Sequence, residues 1–298
     1  MRAMTKSPLR LAKQALAAGK RTLPKYSSPY SRHDFTQPQL FAILILKYFL
    51  KTDFRGIEVL LTEWPELRRV LGLKKVPDYS TLWYAHQRLL KDTRFERLLT
   101  TVFEQARQAQ LLGEKPTVAI DATGLESRHV SAHYVHRKGY RRFKRKKWPK
   151  LTVVAHTATH LIAGVVVGQG PSPDSPQFPD AIRQAATHLH PDRVLGDKGY
   201  DGEHNHRLCR EELGIRSTII PINKRNRGRK WPKTKYRRQM RRRFFKRKYG
   251  QRWQVESVFS RHKRRLGSAL TTRSETTRRN EILFRVLTHN LMILRRTS

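Results

Sequence analysis

Thr117–Asp121, TVAID, is a short apolar run that closes on an acid, and it opens a stretch unlike the chain before it. Leu151–His156 (LTVVAH) and Leu161–Gly168 (LIAGVVVG) are rich in β-branched residues and read as buried strands. Gly170-Pro171-Ser172-Pro173 breaks the pattern. Phe178–Leu189 reads as a helix, and Arg193–Gly196 as another short strand that again runs into an acid, Asp197. A helix near Glu203–Leu213, a strand at Ser217–Ile220, a long helix over Phe244–Arg265 and a last helix over Asn280–Leu294 complete the region. Strands first, then strands interleaved with helices, predict an α/β fold with a mixed sheet.

Upstream the texture is helical. Leu40, Ile43, Leu44 and Tyr48 recur at helical spacing. Phe54–Trp64 reads as a second short helix ended by Pro65, and Pro77-Asp78-Tyr79-Ser80 supplies a turn and a cap ahead of Thr81–Leu90. Such a cluster of short helices suits a helix-turn-helix type of module or a plain helical subdomain. No basic recognition helix stands out, which favours packing over base reading. Residues 1–34 are basic and free of acid until Asp34, and are expected to form a flexible basic arm. The expected layout is that arm, a helical domain over 35–112, and an α/β domain over 113–298 with a basic insertion at about 224–248.

The chain of 298 residues carries a formal charge of +40, which calls for a polyanionic partner, and nucleic acid is the obvious one. A single cysteine, Cys209, excludes a disulfide framework and any zinc site built on paired cysteines. The longest apolar run, around Leu40–Leu46, is far short of the roughly 20 residues of a membrane span. Two basic blocks interrupt the α/β region: Arg137–Lys150 (RKGYRRFKRKKWPK) and Lys224–Lys248. Tyr140, Phe143, Trp148, Trp231, Tyr236, Phe244 and Phe245 are interleaved with their cations, a mixture suited to a groove that tracks phosphates and stacks bases. Arg141, Arg142, Lys144 and Arg145 are the candidate phosphate contacts of the first block.

The acids are distributed more tellingly than the bases. No Asp or Glu occurs from Ser127 to Pro173, and none from Leu213 to Val255, so Glu256 is an isolated carboxylate in a very basic stretch. Asp121 and Asp197 each close a strand, where open α/β sheets place their sites. Three such carboxylates suit an oxygen cage for Mg2+ or Mn2+. Tyr249, Arg252, Glu256 and Lys263 fall within roughly 60° of arc on one helical face, with Trp253 and Phe259 directed to the core. An i,i+4 Arg–Glu pair alone is worth only about 0.3–0.5 kcal/mol and is common, but it leaves Tyr249 and Lys263 on that face unexplained. His129, His133 and His136 have helical spacing but no cysteine partner, which favours surface or DNA-facing roles over zinc. Glu126 and Asp201 are secondary acids, Asp201 capping a helix that starts near Gly202. Lys198 is either a phosphate contact or solvated.

Tyr-x2-Arg-x3-Glu-x6-Lys, written here as YGQRWQVESVFSRHK, resembles the YREK signature of prokaryotic insertion-sequence transposases with a DDE site, the families numbered four and five. AIDATGLE resembles that group's first-Asp motif and VLGDKGYDG its second, and the likeness covers roughly Phe35–Leu294. The resemblance implies a ribonuclease-H-like catalytic core, a mixed five-stranded sheet flanked by helices, behind an N-terminal helical domain. Asp121 would lie on the first strand, Asp197 just after the fourth, and Glu256 on a helix after an insertion. It implies a transposase that cuts and joins DNA at element ends with two Mg2+ or Mn2+ ions held by Asp121, Asp197 and Glu256. Tyr249, Arg252, Lys263 and Lys198 would face DNA, which comprises terminal inverted repeats and target. The protein would work as a homodimer on DNA in the cytoplasm, associated with the nucleoid. A metal nuclease that cuts without joining, and a DNA-binding protein that does neither, are the rival expectations.

Overall fold

The computed structural model describes residues 4–91, 93–127, 147–223 and 232–294. The chain divides into two compact units, residues 110–261 and residues 2–109 with 262–298. The last helix, expected within a catalytic domain reaching 298, therefore groups with the N-terminal helices.

The first unit is built on a five-stranded mixed sheet, β1 (Thr117–Gly124), β2 (Trp148–His156), β3 (Ile162–Gly170), β4 (Arg193–Leu195) and β5 (Ser217–Ile219). Spatial order is β3-β2-β1-β4-β5. β2 is antiparallel to β1 and β3, whereas β4 and β5 run parallel to β1. This is the ribonuclease-H-like arrangement that the resemblance implied. Leu151, Val153, Val154, Ala155 and Ile162 are buried, as unbroken β-branched runs covered on both faces require. Helix α7 (Phe178–Leu189) lies against β3 through Phe178, Ala181, Ile182 and Ala185. Gly164 permits that approach, because a Cβ there would overlap the Ala181 carbonyl oxygen.

Beyond β4 the chain makes a short helix α8 (Glu203–Arg207) that continues as a wider π turn over Leu208–Glu212. Asp201 does not cap α8, whose start at Gly202 has no side-chain cap. Its buried carboxylate instead accepts two hydrogen bonds from Arg237, Nε and Nη2 each at 2.9 Å. Arg237 belongs to α9 (Lys235–Arg242), within the basic insertion. Glu203 accepts the Tyr236 and Arg237 backbone N–H groups at 2.9 and 3.1 Å, satisfying the exposed donors of the α9 N-terminus from outside the helix. Burial works to raise the Glu203 pKa, but these bonds more than offset it and hold it low. The Tyr236 hydroxyl donates to Glu211 at 3.0 Å, and Arg210 donates to Gln239 at 2.7 Å. The described part of the insertion is thus docked on α8 and its continuation.

The second unit is helical: α1 (Pro8–Thr22), α2 (Gln37–Leu50), α3 (Phe54–Glu63), α4 (Pro65–Leu71), α5 (Tyr79–Arg88), α6 (Arg94–Gln108) and, from the far end of the chain, α12 (Glu275–Ile293). α2 is buried nearly all round, from Leu40 through Tyr48, and α1, α5 and α12 pack on it. Each such Leu, Ile or Phe contributes about 1.5–3 kcal/mol by leaving water. The expected flexible arm over 1–34 is corrected by α1. Ser7 accepts the Arg10 N–H, Pro8 occupies the first turn, and Leu11, Ala12, Ala15 and Ala18 form a buried stripe. Pro65 ends α3 and begins α4 at once, since its ring suits a first helical position. Glu281 accepts the Thr271 and Thr272 N–H groups, and Arg285 donates to the Gly267 and Ala269 carbonyls at 2.8 Å, tying residues 267–272 to α12.

Candidate active site

Strand register brings the two aspartates together. β1 and β4 pair as Thr117↔Arg193, Val118↔Val194 and Ala119↔Leu195, an offset of 76 positions. Asp121 and Asp197 are separated by the same 76. β4 ends at Leu195, but Gly196 still donates to Ile219 at 3.2 Å, and Asp197 remains extended (φ −78°, ψ 176°). Continuation of the register therefore sets Asp197 level with Asp121 on the neighbouring parallel strand. Neighbouring strands lie about 4.8 Å apart, and side chains at matched positions share a face.

Each aspartate is steadied by the backbone beside it. Asp121 Oδ1 accepts the Ala122 N–H at 2.8 Å. Asp197 Oδ1 accepts the Gly199 N–H at 2.8 Å and so caps the 3-10 turn Lys198–Tyr200. Burial raises the Asp121 pKa above the usual carboxylate range; the Ala122 N–H and Arg252 oppose the shift, and the Asp197 charge adds to it. A carboxylate whose proton affinity is raised by burial and by a neighbouring negative charge is one that a divalent cation relieves.

Glu256 arrives from the other side of the sequence, through Arg252. The long helix expected over Phe244–Arg265 is broken into a single turn, α10 (Lys246–Tyr249), a tighter 3-10 turn over Gly250–Arg252, and α11 (Trp253–Leu266). Gly250, without a side chain to pack, sits at the change of pitch. The path stays right-handed, so Arg252 and Glu256 keep their i,i+4 relation and form an ion pair. The Arg252 Nη1 also donates to Asp121 Oδ2 at 3.3 Å. Arg252 thus bridges two of the three acids, and Asp197 lies within its electrostatic reach as well. Burial would lower its pKa, but Asp121, Tyr249, Glu256 and Asp197 together raise it.

The remaining candidates fall into place unevenly. Tyr249 is half-buried, 5.0 Å from the Phe244 ring, and its phenol is pushed up by burial and by the three acids despite the opposing pull of Arg252. Trp253, expected in the core, is 52% exposed; the tightened turn before it rotates it outward, whereas Phe259 is buried as expected. Lys263 is half-buried on α11, and Lys198 is exposed on its 3-10 turn. Arg141, Arg142, Lys144, Arg145 and the three histidines 129, 133 and 136 lie outside the described residues. Among the described residues, no three His, Cys, Asp or Glu side chains stand close enough together to hold a metal ion as they are. The donors are nevertheless hard carboxylate oxygens, and the Arg252 guanidinium is a positive group that pairs with two of them.

Comparison with known proteins bears on the whole chain. A family described as Transposase DDE domain matches residues 112–292, and one described as Transposase domain (DUF772) matches residues 5–88. No curated protein matches. Among solved structures, the cryo-EM structure of a piggyBac transposase synaptic complex with hairpin DNA is similar with a TM-score of 0.49 at 10% identity, over 99% of this chain and 77% of that one. Among the described residues, no helix is long and apolar enough to cross a membrane.

Proposed function

The chain belongs to the family of transposases with a DDE domain, and from that premise we propose that Asp121, Asp197 and Glu256 are its catalytic acids. The family uses divalent metal ions. These three carboxylates would hold them, as two Mg2+ or Mn2+ per site. When bound, such ions supply activation of an attacking oxygen and neutralise charge on the leaving 3′ oxygen. The observation that carries the reading is the matched register of Asp121 and Asp197, with Arg252 joining Asp121 to Glu256.

Transposition here is water attack on a phosphodiester at an element end, breaking the bond to the 3′ oxygen. The freed 3′-hydroxyl then attacks a second phosphodiester, forming a new bond to its phosphorus and expelling that strand's 3′ oxygen, which joins the strands. The residues of this chain do little covalent work; positioning dominates. Arg252, once free of its carboxylate partners, would grip a phosphate near the cut. Tyr249 packs beside it, and Lys263 and Lys198 contact the backbone, as do Arg141, Arg142, Lys144 and Arg145. The DNA comprises terminal inverted repeats and target of a prokaryotic insertion sequence of the YREK group, and two copies of the chain pair on it in the cytoplasm, at the nucleoid.

Asp121→Asn keeps the shape and removes the charge. It is expected to lower cleavage of an oligonucleotide end by about 10³-fold or more while leaving DNA affinity within about twofold. Equal loss of binding and cutting would assign Asp121 to DNA contact instead. A joining assay on the same ends separates transposition from simple hydrolysis.

A further inference from the structure

Tyr200 is fully buried, yet its hydroxyl has no hydrogen-bond partner among the described residues. Such groups are rare in folded proteins, because a desolvated hydroxyl without a partner destabilises the fold. Looseness does not explain this one. The Tyr200 N–H donates to the Asp197 carbonyl at 3.1 Å, and Asn205 Nδ2 donates to the Tyr200 carbonyl at 2.8 Å. The ring packs against Phe178 at 5.6 Å, at the start of α7. Backbone and ring are thus fixed on both sides, and the phenol oxygen is left without a hydrogen bond. Burial pushes its pKa far up, and the charges of Asp174, Asp121 and Asp197 push it further, so the oxygen keeps its proton and can act only as a neutral donor or acceptor beside those carboxylates. Of the three, Asp174 is already paired with the buried Lys150. Asp121 holds the Ala122 N–H on Oδ1 and Arg252 on Oδ2, and Asp197 holds the Gly199 N–H on Oδ1, so a cation in place of Arg252 would redistribute the bonds of these two carboxylates.

We propose that Tyr200 is a positioning residue of the metal site, its hydroxyl unpartnered in the metal-free protein and donating a hydrogen bond to the Asp121 or Asp197 carboxylate once a divalent cation is held. This rests on the assignment of those aspartates as metal ligands. Hydrogen bonds from beyond the ligands orient the ligating oxygens, and their loss costs about 10–100-fold in metal affinity. Fold stability and metal affinity therefore change in opposite directions on removing one oxygen.

The test is Tyr200→Phe in the full chain, with Mn2+ alone as the probe. The metal-free variant is expected to melt at the same or a higher temperature than the parent. Titration followed by the electron-spin signal of free Mn2+ is expected to show affinity lowered at least tenfold. A lower melting temperature of the metal-free variant would mean the hydroxyl already has a partner, and would overturn the proposal. Unchanged Mn2+ affinity would overturn it too. Asp121→Asn, run alongside, separates the levels. If the parent and Asp121→Asn bind Mn2+ alike, the aspartate assignment itself fails, and this inference with it. If Asp121→Asn loses binding while Tyr200→Phe keeps it, only the role of Tyr200 fails.

Discussion

The parallel inner strands that place Asp121 and Asp197 and the helical segment that carries Glu256 solve the same problem differently. The aspartates are placed by backbone: their separation in sequence equals the strand offset, their side chains are short, and each accepts a neighbouring N–H. Glu256 is placed by side chains: its carboxylate is 56% exposed, and its link to the site is a long arginine, behind a helix start that changes pitch at Gly250. In the proposed site the aspartates are thus held by backbone bonds, and the glutamate through a long side chain. A metal site assembled this way demands exact reach from its aspartates and tolerates variation in its glutamate.

That contrast can be broken by changing side-chain length without changing charge. Asp121→Glu or Asp197→Glu pushes a carboxylate more than an ångström past a fixed backbone position, and single-turnover cleavage is expected to fall by about 10²-fold. Glu256→Asp shortens an adjustable arm and is expected to cost only about tenfold. Comparable losses for the three would show that Glu256 is as tightly held as the aspartates.

Arg252→Gln sharpens the contrast from the other side. Without the guanidinium, Glu256 loses its tie to Asp121 while the aspartates keep their register. Mn2+ affinity of the DNA-free protein is expected to rise roughly tenfold, the size of one charge-assisted hydrogen bond no longer competing. Strand cleavage is expected to fall as the phosphate grip is lost. A drop in Mn2+ affinity would mean that Arg252 organises the acids and does not compete for them.

The smallest expected effect is at Gly250. Its φ of −51° is ordinary helix, and a Cβ there would meet nothing within 4 Å. Gly250→Ala is expected to stabilise the fold by about 0.5–1 kcal/mol by removing backbone freedom from the unfolded chain, read as a higher melting temperature. If cleavage also slows, the change of pitch is part of how Glu256 reaches its place.

Much of this was legible in the chain. Asp121 and Asp197 announce themselves as acids closing apolar runs, and the family motifs order them with Glu256. The bridge from Arg252 to Asp121 was not legible, because an i,i+4 Arg–Glu pair looks the same whether or not a third partner 131 positions away completes it. Helix α1 was hidden by its own charge: basic residues and the absence of acid suggested an arm, although Ser7, Pro8 and the Leu11, Ala12, Ala15, Ala18 stripe carry the signal of a capped amphipathic helix. The exposure of Trp253 depends on a local tightening that a uniform helical wheel cannot represent. Asp201 could not be matched to Arg237, 36 positions on, because only the docking of α9 joins them.

That docking has a consequence for how the protein meets a polyanion. Asp201, Glu203 and Glu211 carry α9 as pegs carry a rail, and the exposed Lys235, Arg238 and Arg242 stand along it at helical spacing. Cations on a loose tether must be ordered at the moment of association, which weakens binding by the entropy of each immobilised side chain and loop. Here the backbone beneath them is set during folding, so three acids bonded to α9 let a strongly cationic surface keep its shape before anything negative approaches it.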